Sequence, residues 1–290
     1  MEITAGVVKQ LREKTGVGMM ECKSALVEAQ GDLSVAEKIL RKKGLAAAAH
    51  KAGRATGEGA IATSTGKAGE VAVLLELNCE TDFAARGADF QALVQAALDA
   101  ALRSGADTVG SESTEASREA LLDAAGQGGR SLRQTIGEAV GKIGENMQLR
   151  RYVKFRRSSP KAVLASYIHT GGKIGVLVEV ESIGAPVADA LLRDLAMHIA
   201  AAAPRYVRRD EVAAKVLADE QEIARDSALK AGKPAQVVEK IVSGRVDKFF
   251  GEMCLVEQPF VKDPDKTITQ LLGDGTTVKR FARFVLGEGL

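Results

Sequence analysis

With 290 residues, 46% of them apolar and 27% charged, the chain is long enough for two or three domains and apolar enough to bury real cores, which excludes a disordered chain. Its net charge of +2 supplies no strong pull toward nucleic acid, and the absence of a run of about 18 apolar residues argues against a membrane span. The opening MEITAGVVKQLREKTG lacks the apolar stretch of a secretory signal, so a cytoplasmic protein is expected.

Trp is absent and aromatic residues make up only 4%, so the cores must be built mainly from Ala, Val, Leu and Ile. Cys22, Cys79 and Cys254 are odd in number and far apart, which fits reduced, buried thiols better than a disulfide framework.

Residues 2–43 read as three short amphipathic helices. Thr4 is a candidate N-cap for the first, with Val7, Val8 and Leu11 on its apolar face and a stop near Gly16 and Gly18. The second runs from about Met19 to Ala29 with Cys22, Ala25, Leu26 and Ala29 on one face. Asp32 caps the third, whose Leu33, Ala36, Ile39 and Leu40 recur at helical spacing. Residues 44–59 show no sustained apolar face and read as a linker with some helical character. The first 56 residues hold ten Lys and Arg against six Asp and Glu, an excess that a solvated helix surface explains as well as a phosphate partner does.

From Ala60 the period changes. GKAGEVAVLLELN at 66–78 is a turn followed by a strand, with residues 60–65 as hairpin partner. The pattern returns in TGGKIGVLVEVES at 170–182, preceded by AVLASYIH. Each is followed by an Ala/Leu helix, at 89–102 and at 187–203, so hairpin plus helix occurs twice. This predicts an α+β fold with a two-subdomain core rather than one doubly wound sheet.

Between the repeats, residues 105–117 read as a polar loop, GQGGRS at 126–131 as a glycine turn, and about Leu132–Gly144 as a helix. From Asp210 to Phe250 the chain is charged and helical, broken only at Gly232, Lys233 and Pro234. Val212, Val216, Ile223 and Ala224 mark one arm of a protruding antiparallel helical hairpin, and Val237, Val238, Ile241 and Val246 the other. Leu255–Leu290 turns strand-like again, with Phe281, Phe284 and Val285. The expected domains are 1–55, 56–150 and 151–290, with the hairpin inserted at about 208–250.

No enzyme motif is visible. A phosphate-binding loop needs GxxxxGK followed by Ser or Thr, and neither GGKIG at 171–175 nor VGKIG at 140–144 supplies it; both read as turn or packing glycines. His50, His169 and His198 are too scattered for a zinc site, and no metal or cofactor is implied. Cys79 lies in NCETD, where Glu80 and Asp82 would disfavour its thiolate and a nucleophilic role.

With no chemistry visible, protein contact becomes the default. LREKTGVGMMECKSAL (11–26) with GDLSVAEKILRKKG (31–44), ELNCETDFAARGADFQAL (76–93), IGVLVEVE, LAMHIAAAAP, GKPAQVVEKIVSGRVDKFFGE and QPFVKDP occur in the order found in the elongation factor Ts family, and the chain resembles that family over nearly its whole length outside about 103–130. The resemblance implies a ubiquitin-associated-like (UBA-like) three-helix amino-terminal domain and no enzymatic activity. It implies guanine nucleotide exchange on elongation factor Tu, bound both with GDP and without nucleotide. It places Thr81, Asp82, Phe83 and Ala84 against the partner's GTPase domain beside the magnesium and phosphates. Ala84 stands where the family usually has a larger Val, so looser packing against the partner is expected there. The resemblance also assigns Arg12, Met19 and Met20 to the partner's GTPase domain and His169 to its other domains, and it implies a coiled-coil hairpin that contacts the partner or a second copy in different relatives. Many relatives continue past GEGL into a further helix that adds partner contacts.

Read as residues alone, these positions keep alternatives open. Phe83 is either an exposed strand-end anchor or a core residue closing the strand, and Asp82 is a helix N-cap, a partner contact or both. At least one of Met19 and Met20 suits the core, and His169 suits an ordinary hairpin turn. Two rival functions remain at this level. One is a nucleic-acid binder using the basic helices with Lys51 and Arg54, which the lack of interleaved basic and aromatic residues disfavours. The other is an adaptor, which leaves the TDF signature on a repeated core unexplained.

Overall fold

A computed structural model gives the fold and describes residues 3–105, 112–126 and 129–289. By its internal contacts the chain divides into two units: Met1–Arg156 with Thr170–Gly175 and Phe284–Leu290, and Arg157–His169 with Val176–Arg283. Both mix helices with small sheets, so the fold is α+β.

The first unit opens with α1 (Ala5–Thr15), α2 (Met19–Glu28) and α3 (Leu33–Lys51). Thr4 caps α1 by accepting from the Val7 amide, and Asp32 caps α3 through the Ser34 and Val35 amides. Gly16 ends α1 at φ 71°, a left-handed conformation that a side chain would resist. Val8, Leu11, Cys22, Ala25, Leu26, Ala29, Ala36 and Leu40 close the small core as the periodicity predicts.

The expected linker is partly corrected. α3 runs on to Lys51, and Gly44 is buried because a later helix, α7 (Leu132–Ile143), crosses it at very short range. A Cβ on Gly44 would lie 2.8 Å from the Gly137 carbonyl oxygen, and one on Gly141 3.1 Å from Gly44 Cα. Contact through bare glycine backbone needs no apolar side chain, so the apolar pattern was silent about it.

β1 (Glu58–Thr65) and β2 (Val71–Cys79) form the expected hairpin, followed by α4 (Asp82–Arg86), α5 (Ala88–Arg103) and α6 (Glu115–Asp123). Thr114 caps α6, so residues 115–117 are helical rather than loop; residues 106–111 of that expected loop, and 127–128 of the glycine turn, lie outside the described residues. α7 starts at a capping box of Ser131 and Gln134 and stops at Gly144, φ 88°. β3 (Met147–Arg156), not anticipated from the sequence, pairs antiparallel along all of β2 and completes a sheet ordered β1-β2-β3. The expected boundary at 150/151 falls inside this strand. α5, α6 and α7 cover the sheet through Phe90, Leu93, Leu121, Leu132, Ile136 and Val140.

In the second unit, β4 (Ala162–Ile168), β5 (Ile174–Ser182) and β8 (Thr276–Val285) form a sheet in that order, and α8 (Asp189–Ala202) packs on β4. α9 (Ala214–Lys230) and α10 (Ala235–Met253) are the two arms of the predicted hairpin, held by Ala224, Ala228, Val238 and Val242. Of the apolar residues expected to mark the arms, Ala224, Val238, Ile241 and Val246 belong to the seam, while Ile223 and Val237 are exposed. The tail adds β6 (Pro259–Phe260), β7 (Asp263–Thr267) and a short α11 (Ile268–Leu272) before β8.

The repeat extends to its buried charges. Glu76 and Glu179 occupy the same position, sixth, in β2 and β5, and both are fully buried. Glu76 accepts from Arg150 at 2.8 Å, Arg151 at 2.7 Å and the Gly287 amide at 2.8 Å; Glu179 accepts from Arg280 at 2.7 Å and from the Ser158 amide. Consecutive arginines on a regular strand would face opposite ways. The register shift at Glu76/Leu77 leaves Arg150 as the extra residue of β3, and this bulge lets both reach one carboxylate.

Candidate functional site

The signature residues occupy the corner between β2 and α5. Thr81 has extended backbone, and its Oγ1 accepts from the Ala84 amide at 3.2 Å, which starts α4. Thr81, rather than Asp82, is therefore the N-cap; Asp82 sits in the first turn and pairs with Arg86 at 2.7 Å. Ala85 turns into the core and Ala84 rests half-buried against it. Phe83 points the other way and is 82% exposed. It stands on a one-turn helix rather than at a strand end, and it is not a core residue.

One carboxylate holds the entry to this corner, and the Gln91 side-chain amide, donating to the Ala85 carbonyl at 2.7 Å, holds its exit. Glu145, in the turn between α7 and β3, accepts from the Glu80 amide at 3.1 Å, the Thr81 amide at 3.0 Å and the Thr81 hydroxyl at 2.6 Å. Glu80 answers by accepting from the Asn146 amide at 2.6 Å. Sequence reasoning missed both roles. The only local signal is an acid immediately after the glycine that ends a helix.

Cys79 is buried under the corner, its thiol donating to the Thr81 carbonyl at 3.1 Å. Burial, and then Glu145, push it up to about 11; the expected Glu80 and Asp82 are not the cause, since their carboxylates aim elsewhere. Burial likewise pushes Cys254 up to about 11. His198 is also buried: its Nδ1 accepts from the Val261 amide at 3.3 Å, so Nε2 carries the proton toward Gln258 Oε1 at 2.9 Å. Desolvation holds it below the ordinary histidine range. Among the described residues no group of His, Cys, Asp and Glu is arranged to hold a metal ion, and no helix is long and apolar enough to cross a membrane.

Arg12 is exposed on α1, and Met19 and Met20 are 39% and 76% exposed on the first turn of α2, so neither methionine is core. This turn connects to the signature corner through Lys142. Its side chain lies across Gly16, and its ammonium pairs with Asp89 of α5 at 2.5 Å. His169 belongs to the other unit; it is exposed after β4, with Nδ1 3.0 Å from the Tyr167 hydroxyl.

A family model described as Elongation factor TS matches residues 80–288. The Elongation factor Ts of Trichlorobacter lovleyi is 45% identical over 304 residues, spanning 100% of this chain and 94% of that protein. Those of Methylococcus capsulatus and Clostridium botulinum are 47% and 43% identical, spanning 100% and 99% of this chain and 94% of each relative. The chain belongs to the elongation factor Ts family.

Elongation factor Ts proteins are translation elongation factors that act as nucleotide exchange factors for elongation factor Tu. Two features of this chain bear on how a family member would do so. Lys51 and Arg54, the cations a nucleic-acid reading would use, are engaged internally: Lys51 donates to the Gly144 carbonyl at 2.6 Å and Arg54 pairs with Glu80 at 3.4 Å. The two glycine motifs that mimic a phosphate loop are structural in this elongation factor Ts fold. Gly141 packs on Gly44, and Gly171 and Gly172 take φ 92° and 70° in the turn before β5.

Proposed function

We propose that this chain binds elongation factor Tu in the cytoplasm and speeds GDP release by seating Phe83 in the partner's GTPase domain, beside its magnesium and phosphates. The observation that carries this reading is the 82% exposure of Phe83 on a corner that is otherwise tied down. Burying a phenylalanine stabilises a complex by about 1.5–3 kcal/mol, nearly all of it still available here. Asp82, Thr81 and Ala84 flank the anchor. Arg12, Met19 and Met20 form a second contact on the three-helix domain, residues 1–55, which is UBA-like in this reading; thioethers suit an adaptable surface. His169 contacts the partner's other domains. The two core subdomains of this reading divide after Arg156, at the end of β3, rather than at 150/151.

Linkage fixes the cycle. A factor that weakens GDP binding is itself bound more weakly when GDP is present, by the same factor, so the nucleotide-free complex is the tight one. Ile223 and Leu229 of α9, exposed at 63% and 53%, support a further role of the hairpin in contacting the partner or a second copy. The test is release of fluorescent GDP from purified elongation factor Tu. Added chain should accelerate release in proportion to its concentration below saturation; an unchanged rate rejects the proposal.

A further inference from the structure

α4 has five residues, too few to hold its own geometry, because an isolated helical turn is unfavourable. Its orientation must come from outside, and the donors immediately before it converge on Glu145 from 64 and 65 residues away. The Thr81 hydroxyl is central. Its proton is committed to Glu145 Oε1, which leaves its lone pair for the Ala84 amide, so one carboxylate fixes both the backbone of residues 80–81 and the rotamer of the cap. The return bond from the Asn146 amide to Glu80 makes the clasp reciprocal. Asn146 Nδ2 also donates to the Arg54 carbonyl at 2.9 Å, and Lys51 to the Gly144 carbonyl, so the same short turn anchors the exit of α3.

We infer that Glu145 is a positioning residue for nucleotide exchange: without touching the partner, it sets the angle at which α4 presents Phe83. The inference rests on the reading of Phe83 given under Proposed function. With Glu145 removed, the Glu80 and Thr81 amides lose their acceptor and the Thr81 hydroxyl rotates freely. The start of α4 then loosens about its anchored end at Ala85, Phe83 samples a wider range of directions, and that freedom must be given up on binding. The core beneath keeps its packing, since Ala85, Phe90 and Leu93 do not depend on the carboxylate.

A double-mutant cycle with Phe83 tests it, with exchange measured well below saturation. Glu145→Ala should slow exchange about tenfold in the presence of Phe83, the scale of a lost charge-assisted hydrogen bond, yet less than about twofold further in Phe83→Ala. Glu145→Gln, whose amide oxygen still accepts from the two N–H groups, should restore most of the activity. The chain has no tryptophan, so Phe83→Trp supplies a lone reporter whose anisotropy should fall when Glu145→Ala is added. If Glu145→Ala does not fold, Glu145→Asp, shorter by one methylene, carries the same cycle. Equal losses in both backgrounds, or an unchanged anisotropy, overturn the inference. Normal exchange by Phe83→Ala would instead reject the underlying reading, whatever Glu145 does.

Discussion

The two halves of the internal repeat share a frame and differ at one corner. Each has a hairpin, a following helix, a third strand, and a buried glutamate bound to arginine on that strand. After β2, residues 80–87 hold a capped one-turn helix clasped by Glu145 and crowned by Phe83. After β5, residues 183–188 make a plain connection, in which the Ile183 amide bonds the Gly275 carbonyl and the Ser182 hydroxyl bonds the Ala185 carbonyl. Ile183 is 73% exposed, yet it has no helix beneath it and no flanking acid. The frame is what folding requires twice over, whereas an exposed aromatic adds nothing to the fold, which supports the proposal that this corner is the one that meets the partner.

The largest expected effect breaks the frame. Glu76→Ala would leave Arg150 and Arg151, at 18% and 14% side-chain exposure, without their buried acceptor and should cost about 3–5 kcal/mol in urea denaturation. Glu179→Ala should cost less, because Arg280 keeps 37% exposure and can reach water. Equal losses would mean that the two frames are not built differently in strength.

Next comes the corner itself. Phe83→Ala should remove about 2–4 kcal/mol of coupling to the partner, or roughly 30- to 1000-fold in exchange at low concentration. Stability of the free chain should shift by no more than about 0.5 kcal/mol, since the ring is exposed. Ile183→Ala should leave both quantities unchanged. A comparable loss of exchange from the two substitutions would erase the distinction between the corners.

A smaller effect should follow from crowding α7, the helix that leads to Glu145. Gly44→Ala places a methyl 2.8 Å from the Gly137 carbonyl oxygen and should cost about 1–3 kcal/mol. Exchange should weaken along with it, because the clasp moves with α7. Thermal unfolding and the GDP-release assay together read both outcomes.

The smallest is a pH effect. Cys79 and Cys254 have folded values raised from 9.0 to about 11, so the unfolded chain loses these protons first. Their contribution to stability is fully present below pH 9 and is lost as pH rises toward 11. Denaturation at pH 8 and pH 10 should show the decline, and Cys79→Ala should reduce it by removing one of the two thiols. A flat profile would contradict the burial of both.

The sequence alone determined the three amino-terminal helices, both hairpins with their following helices and the α9–α10 pair, because caps, turn glycines and apolar periods are local and act within a few residues. It left Phe83 between core and surface, and it gave no sign of β3, of the continuation of α3, or of Glu145. β3 alternates poorly because its bulge sends two arginines to one acid. α3 is prolonged by glycine backbone, which leaves no hydrophobic trace. Glu145 acts on donors more than sixty residues away, so its role exists only once α7 and β2 have been brought together. Tertiary structure decided these points, because each depends on what approaches a residue from elsewhere in the chain, while periodicity records only which face of its own element a residue occupies.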